Sequence, residues 1–167
     1  ALRYQYTHVE YDPLIAPFYA PLVVSFVDQY GDTYNNVIFS ASYTGDTRDK
    51  AVFPTKGLLQ SLRGEVAVPG SDLEYYKIGY DGNYYIPLTS RFVLSLSASL
   101  GYGGGYGDLD TLPFFDNYYA GGPRSVRGFV ANSLGPRELS LSNNPTGGNL
   151  KMVGSIELLA PPPVGGE

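Results

Sequence analysis

The chain has 167 residues, a mass of 18.1 kDa and a formal net charge of −5. Only 16 % of residues are charged while 16 Tyr, 8 Phe, 21 Gly and 13 Pro are present, a balance that argues against both a helical bundle and a disordered tail. The acidic balance disfavours a nucleic-acid footprint, the absence of Cys removes disulfides and thiolate zinc sites, and a single histidine, His8, weakens any His-dependent chemistry.

In chain order, the first segment, Leu2 to Tyr11, alternates weakly, with Leu2, Tyr4 and Tyr6 on one face. No signal peptide is visible in the sequence, and residue 1 opens directly into the alternating pattern. Tyr11 to Asn36 is a long connection. Its uncharged stretch Pro13 to Val27 carries Pro13, Pro17 and Pro21 and is too short to span a bilayer as a helix. The next strand places Val37, Phe39, Ala41 and Tyr43 opposite Ser40, Ser42 and Thr44, and Val52 to Gly57, with Phe53 and Pro54, reads as a short turn. Leu58, Leu62, Val66 and Val68 then oppose Ser61, Arg63 and Glu65. After Pro69 to Glu74, the residues Tyr76, Ile78, Tyr80, Gly82, Tyr84 and Ile86 oppose Tyr75, Lys77, Gly79, Asp81, Asn83 and Tyr85. Pro87 to Arg91 is a second short turn. Leu94, Leu96, Ala98, Leu100 and Tyr102 follow, opposite Ser95, Ser97, Ser99, Gly101 and Gly103. Asp108 to Gly148 is a loop of about forty residues without a strand or helix period, a length that in a compact fold signals function or disorder. Its bulky side chains Phe114, Phe115, Tyr118 and Tyr119, with glycines Gly121 and Gly122, point to a loop that packs against something. The last strand sets Leu150, Met152, Ile156 and Leu158 against Lys151, Ser155 and Glu157.

These runs are roughly ten residues long, the length at which a tilted strand crosses a bilayer, and short and long connections alternate between them. The apolar face is Leu-, Val- and Tyr-rich. The other face is rich in Ser and Gly with few charges, unlike the Lys- and Glu-bearing surface of a soluble sandwich. An antiparallel membrane barrel is therefore favoured over a soluble sandwich. About six strands are too few to close a barrel and would leave two unpaired edges in hydrocarbon, so the chain is expected to be a piece of a larger one, ending at Pro161 to Glu167 just after a strand.

No enzymatic motif emerges, and no catalytic residue, metal site or cofactor is expected. Gly101 to Gly107 fails the G-x-G-x-x-G pattern because Tyr106 stands where the third glycine belongs, and no P-loop lysine follows. The stretch from Gly104 holds a single copy of a calcium-repeat-like pattern with its aspartate out of register. Asp108, Asp110 and Asp116 are not set apart from ordinary loop carboxylates, and His8 lacks a nucleophile motif. Asn144-Pro145-Thr146 is not a glycosylation site, since Pro occupies its middle position.

Phe114 to Phe129 reads FFDNYYAGGPRSVRGF, and its core Val126-Arg127-Gly128-Phe129 resembles the lumen-loop hallmark of the BamA family of outer-membrane barrel-assembly insertases of Gram-negative bacteria. Three further stretches agree in order: FPTKG at Phe53 to Gly57, VPGSDLEYYK at Val68 to Lys77, and GSIELLAPPP at Gly154 to Pro163. The resemblance runs from about Val37 to Pro163. It departs from the family in the later loop, which is short and lacks the cysteine pair of some members.

The resemblance implies a sixteen-stranded barrel behind periplasmic POTRA domains. Residues 1–167 would be strands seven to twelve, with no POTRA domain. Phe53, Pro54 and Gly57 would lie in a periplasmic turn, and a short surface helix is expected at Ala20 to Gln29. The long loop would fold into the lumen, where its arginine meets acidic side chains. Glu157, on the polar face of the last strand, is the expected partner of Arg127. Implied partners are the lipid bilayer, the remaining strands of the barrel, unfolded outer-membrane protein clients and accessory assembly lipoproteins, in the bacterial outer membrane. A two-partner secretion or translocation-assembly barrel is the nearest alternative; a passive porin-like channel and a soluble sandwich are alternatives of other classes.

Overall fold

A two-residue period in a chain with few helix formers leaves the backbone one economical arrangement, neighbouring strands joined by their own hydrogen bonds. The computed structural model describes residues 1–10, 21–138 and 143–160, and shows that arrangement. Strands β1 (Leu2–His8), β2 (Thr33–Asp46), β3 (Gly57–Ala67), β4 (Tyr75–Pro87), β5 (Val93–Gly105) and β6 (Leu150–Leu159) form one antiparallel sheet in chain order. A single helix, α1 (Pro21–Tyr30), lies between β1 and β2. Among the described residues no helix is long and apolar enough to cross a membrane.

The register keeps the two faces apart across every strand. One row runs Tyr43, Leu62, Tyr80, Leu100, Met152, and the row beside it on the other face runs Ser42, Arg63, Gly79, Gly101, Lys151. Tyr43 is 61 % exposed and Met152 73 %, and Phe39, Ile78, Tyr84, Ile156 and Leu158 on the same face are exposed as well. A contiguous apolar face of this extent is untenable in water and is the expected outer wall in lipid. The sheet therefore has an outward apolar face and an inward polar one.

The buried core is not between two sheets. It lies on the inward face at the end from which the long loop leaves β5. There Tyr34, Ile38, Ala67 and Tyr75 meet Phe26 of α1 together with Leu73, Leu109 and Leu112. Asn36 is fully buried in the same place, its side-chain oxygen accepting the Leu73 N–H at 2.9 Å.

Several boundaries differ from those read in the sequence: β1, read from Leu2 to Tyr11, ends at His8, and β3 ends at Ala67 before Val68. β2 begins at Thr33, four residues before Val37, because Tyr34 and Asn36 are inward residues covered by the core and Thr33 pairs with His8 of β1. The helix starts at Pro21 and ends at Tyr30; Ala20, with Tyr11 onward, lies outside the described residues, as does the segment from Pro161. The turn expected at Val52 to Gly57 is longer, spanning 47–56, and Gly57 opens β3 instead of closing the turn. Hydrogen bonds from Thr47 to Leu58 and from Asp49 to Lys56 extend the hairpin past the ladder. Phe53 and Pro54 remain at its tip, Phe53 exposed and left-handed at φ 54°.

Asp49 organises this turn. Its carboxylate accepts the Thr55 hydroxyl at 2.5 Å and the backbone N–H groups of Thr55 and Lys56 at 2.8 and 3.2 Å. The Thr55 hydroxyl, and then the backbone N–H groups, hold the Asp49 carboxyl well below the usual carboxylate range. A folded-state pKa below the unfolded one contributes stability above about pH 4 that is lost as the pH falls through the folded value. Carboxyl-resolved NMR titration should find Asp49 titrating below ordinary aspartates, and Thr55→Val should move it back up.

The face assignment is tested by adjacent residues at one depth. Ala41→Lys, on the outward face, should cost about 2–4 kcal/mol in denaturant titrations of the lipid-reconstituted protein. Ser42→Glu, inward and paired in register with Arg63, should change stability by about 0.5 kcal/mol or less. Equal costs would mean the two faces are wrongly assigned.

Candidate functional site

The long loop starts where β5 ends and is drawn at once onto the inward face. Leu109 and Leu112 enter the core, and a 3-10 turn at Phe114–Asp116 sets two adjacent rings against α1. Phe26 lies 5.4 Å from Phe114 and 6.2 Å from Phe115, edge-on to both, and Phe115 is 6.1 Å from Tyr34. Edge-to-face pairs of this kind contribute about 0.5–1.5 kcal/mol each beyond area burial. The Tyr106 hydroxyl donates to the Ala67 carbonyl and ties the loop's first residues to the end of β3.

Below the rings the same turn points Asp116 at the sheet. Lys77 Nζ, inward on β4, lies 3.0 Å from Asp116 Oδ1, with the two side chains only 19 % and 20 % exposed. The same ammonium is 5.1 Å from the centre of the Tyr118 ring. That ring lies flush on Gly101 of β5, where an added Cβ would come within 2.6 Å of Tyr118 Cε1. The Tyr118 hydroxyl donates to the Ile78 carbonyl at 3.1 Å; burial, with the charges of Glu65 and Asp116, raises its pKa and keeps it a donor.

Farther along, the loop narrows to a hairpin. Ala120 bridges Leu134, and Gly121 turns the chain at φ +111°, so close to the return limb that a Cβ would sit 2.5 Å from the Val130 carbonyl oxygen. The tip carries Arg127, whose Nη2 reaches Glu157 Oε1 at 3.2 Å. Glu157 pairs in register with Ser95 near the far end of the sheet, roughly 24 Å of strand from Leu150 at ~3.4 Å per residue. The Arg127 and Glu157 side chains are 75 % and 36 % exposed. Between tip and sheet is a cavity of about 580 Å³ lined by Asp81, Arg124, Arg127, Lys151 and Glu157.

Of the residues singled out in the sequence, Phe114, Phe115 and Tyr118 pack on the core, and Arg127 and Glu157 come together. Tyr119, Gly121 and Gly122 do not join the apolar cluster. Both glycines have positive φ and close approaches to Val130 and Ala131, so they shape the hairpin, while Tyr119 lies beside Gly147 on the return limb. Val126 is half-buried, whereas Gly128 and Phe129 are exposed. The loop is not devoid of order either, because Tyr118–Gly148, Ala120–Leu134 and Arg137–Pro145 form isolated bridges. Sequence reasoning missed the roles of Lys77, Asp116 and Gly101. The inward parity of Lys77 and Gly101 was legible, but nothing in the order of residues said that Asp116 and Tyr118 would come back to them.

A model of the Omp85 superfamily domain matches residues 1–167. The outer membrane protein assembly factor BamA of Neisseria meningitidis serogroup B is 41 % identical over 117 residues, covering 69 % of this chain and 15 % of that protein. A SAM50-like protein of Schizosaccharomyces pombe is 33 % identical over 129 residues, covering 74 % of this chain and 26 % of that protein. The crystal structure of BamA from Haemophilus ducreyi lacking POTRA domains 1-3 superposes with a TM-score of 0.78 at 26 % identity, covering 99 % of this chain and 34 % of that one. The chain thus spans about a quarter or less of the length of the two curated relatives.

An ion pair as exposed as Arg127 and Glu157 contributes about 0–1 kcal/mol. A double-mutant cycle with Arg127→Ala and Glu157→Ala, read by denaturant unfolding of the micelle-bound protein, should give a coupling in that range. A coupling of several kcal/mol would mean that further structure desolvates the pair.

Proposed function

Because the chain belongs to the Omp85 superfamily, we propose that it is part of a barrel that folds and inserts other β-barrel proteins into an outer membrane. The observation that carries this reading is the loop folded against the inward face, its Arg127 on Glu157, in a chain 41 % identical to an assembly factor. A porin-like channel needs no such specific contact. The bacterial outer membrane is the compartment on this reading; the higher identity to the Neisseria protein than to the fungal one supports it over a mitochondrial membrane. Unfolded barrel proteins are the clients, and accessory lipoproteins are further partners.

The mechanism is non-covalent and needs no enzymatic group. A client strand entering hydrocarbon must keep every backbone N–H and C=O paired, and a barrel that offers a strand edge supplies partners as it enters. The residues described here form wall and strut, not that edge. β1 to β6 present a continuous outward apolar band, and the loop braces the inward face from the core to Glu157. Phe129 and Val130 are exposed at the loop tip.

Reconstitution of the full-length protein into phospholipid vesicles tests the reading. Folding of an unfolded barrel client, followed by heat-modifiable gel mobility, should be about tenfold faster than in empty vesicles, equivalent to about 1.4 kcal/mol off the barrier. Equal rates, with a steady open conductance, would replace the assembly reading with the channel.

A further inference from the structure

The ion pair at the loop tip is the more conspicuous contact, yet it is not the firmer one. At the loop root three separate attachments converge on β4 and β5: the Lys77–Asp116 pair at 3.0 Å, the Tyr118 ring seated on Gly101, and the Tyr118 hydroxyl on the Ile78 carbonyl. Both limbs of the loop are included. Tyr118 and Gly148 exchange backbone hydrogen bonds at 2.8 and 2.9 Å, and the Asn117 side chain donates to the Thr146 carbonyl at 2.9 Å. The root pair is far less exposed than the tip pair, so solvent screens it less and loss of either partner strands a charge. Asp116 Oδ2 and the Tyr75 hydroxyl of β4 are both buried here and lie close enough to interact with each other.

We propose that Lys77, Asp116, Tyr118 and Gly101 form the clamp that fastens the loop and keeps the long-loop end of the lumen shut, and that Arg127 and Glu157 form a contact that can release while the clamp holds. Lys77 and Gly101 are positioning residues: they act by fixing Asp116 and Tyr118. Phe114 and Phe115 lie between Leu112 and Tyr118 in the loop and pack against Phe26 of α1, so a fixed root also fixes that plug. Below the clamp the inward face is hydrophilic and open, lined by Asp81, Lys151 and Arg124 around the cavity. The clamp follows from the fold alone and holds whatever clients the barrel serves.

The test uses the full-length protein in intact cells with a single reporter thiol, Val153→Cys, on the inward face of β6 beside the cavity. A membrane-impermeant maleimide is added outside, and client assembly is scored in the same cells. Labelling should rise about fivefold or more in Lys77→Met and in Gly101→Ala, remain at the starting level in Lys77→Arg, and stay unchanged in Arg127→Gln. Gly101→Ala keeps the ion pair and displaces only the ring, so it decides the matter where Lys77→Met barrels do not reach the membrane. Unchanged labelling in Gly101→Ala, or as large a rise in Arg127→Gln as in the root variants, overturns the clamp. Failure of the unsubstituted protein to support assembly would sink the functional reading and leave the labelling result standing.

Discussion

In hydrocarbon no water is available to an unpaired backbone N–H or C=O, and each such group costs several kcal/mol. The unbroken antiparallel ladder from β1 to β6 answers that constraint, and the rest of the molecule depends on it. Once the ladder is continuous, side chains must alternate between its faces, and a slip of one residue at any pair would exchange lipid-facing and inward residues along the whole strand. The row Tyr43, Leu62, Tyr80, Leu100, Met152 shows that no slip occurs over the four pairs from β2 to β6.

The inward face is shaped by the same rule, with different chemistry. β5 offers Ser95, Ser97, Ser99, Gly101 and Gly103 in succession, a column with little side-chain volume. That column is where the loop lies. Larger residues there would hold the loop off the sheet, as the Tyr118 ring on Gly101 shows most directly. A hydrogen bond between the Ser97 and Ser155 hydroxyls and one from Ser99 to Asp81 satisfy the small polar groups without filling the space. The long loop can therefore enter without a backbone distortion in the wall, and its aromatic residues supply the burial that a one-layer sheet lacks.

The wall was legible because its signal is local: alternation survives in any window of six residues, and the paired faces in β4, β5 and β6 match the residues named from the pattern. The start of β2 was less legible. Tyr34 and Asn36 belong to the strand because tertiary contacts cover them, and Asn36 in a strand is explained only by the Leu73 N–H that it receives. The turn at 47–56 was hidden for a similar reason, since Asp49 gathers donors six and seven residues away. In the loop, the motif around Arg127 was readable as a pattern and Glu157 by its parity. The root was not, because its partners, Lys77 with Asp116 and Gly101 with Tyr118, are 39 and 17 residues apart in the chain and none is unusual on its own.

The contrast between root and tip gives the loop a mechanical character that neither has alone. A loop held only at its tip by an exposed pair would exchange freely, because about 1 kcal/mol leaves the detached state populated at more than a tenth. A loop held uniformly along its length would be rigid and could not respond to anything in the lumen. Here the rings, the half-buried pair and the limb-to-limb bridges fix the root of the loop, while the tip is joined to the sheet by the exposed Arg127–Glu157 ion pair. A ligand or wall movement that favours the detached tip by only a few kcal/mol would invert its population without disturbing the core. The two anchors differ in strength because they differ in solvent access, and that difference is set by depth: the root lies under the aromatic cluster, and the tip lies beside an open cavity of about 580 Å³.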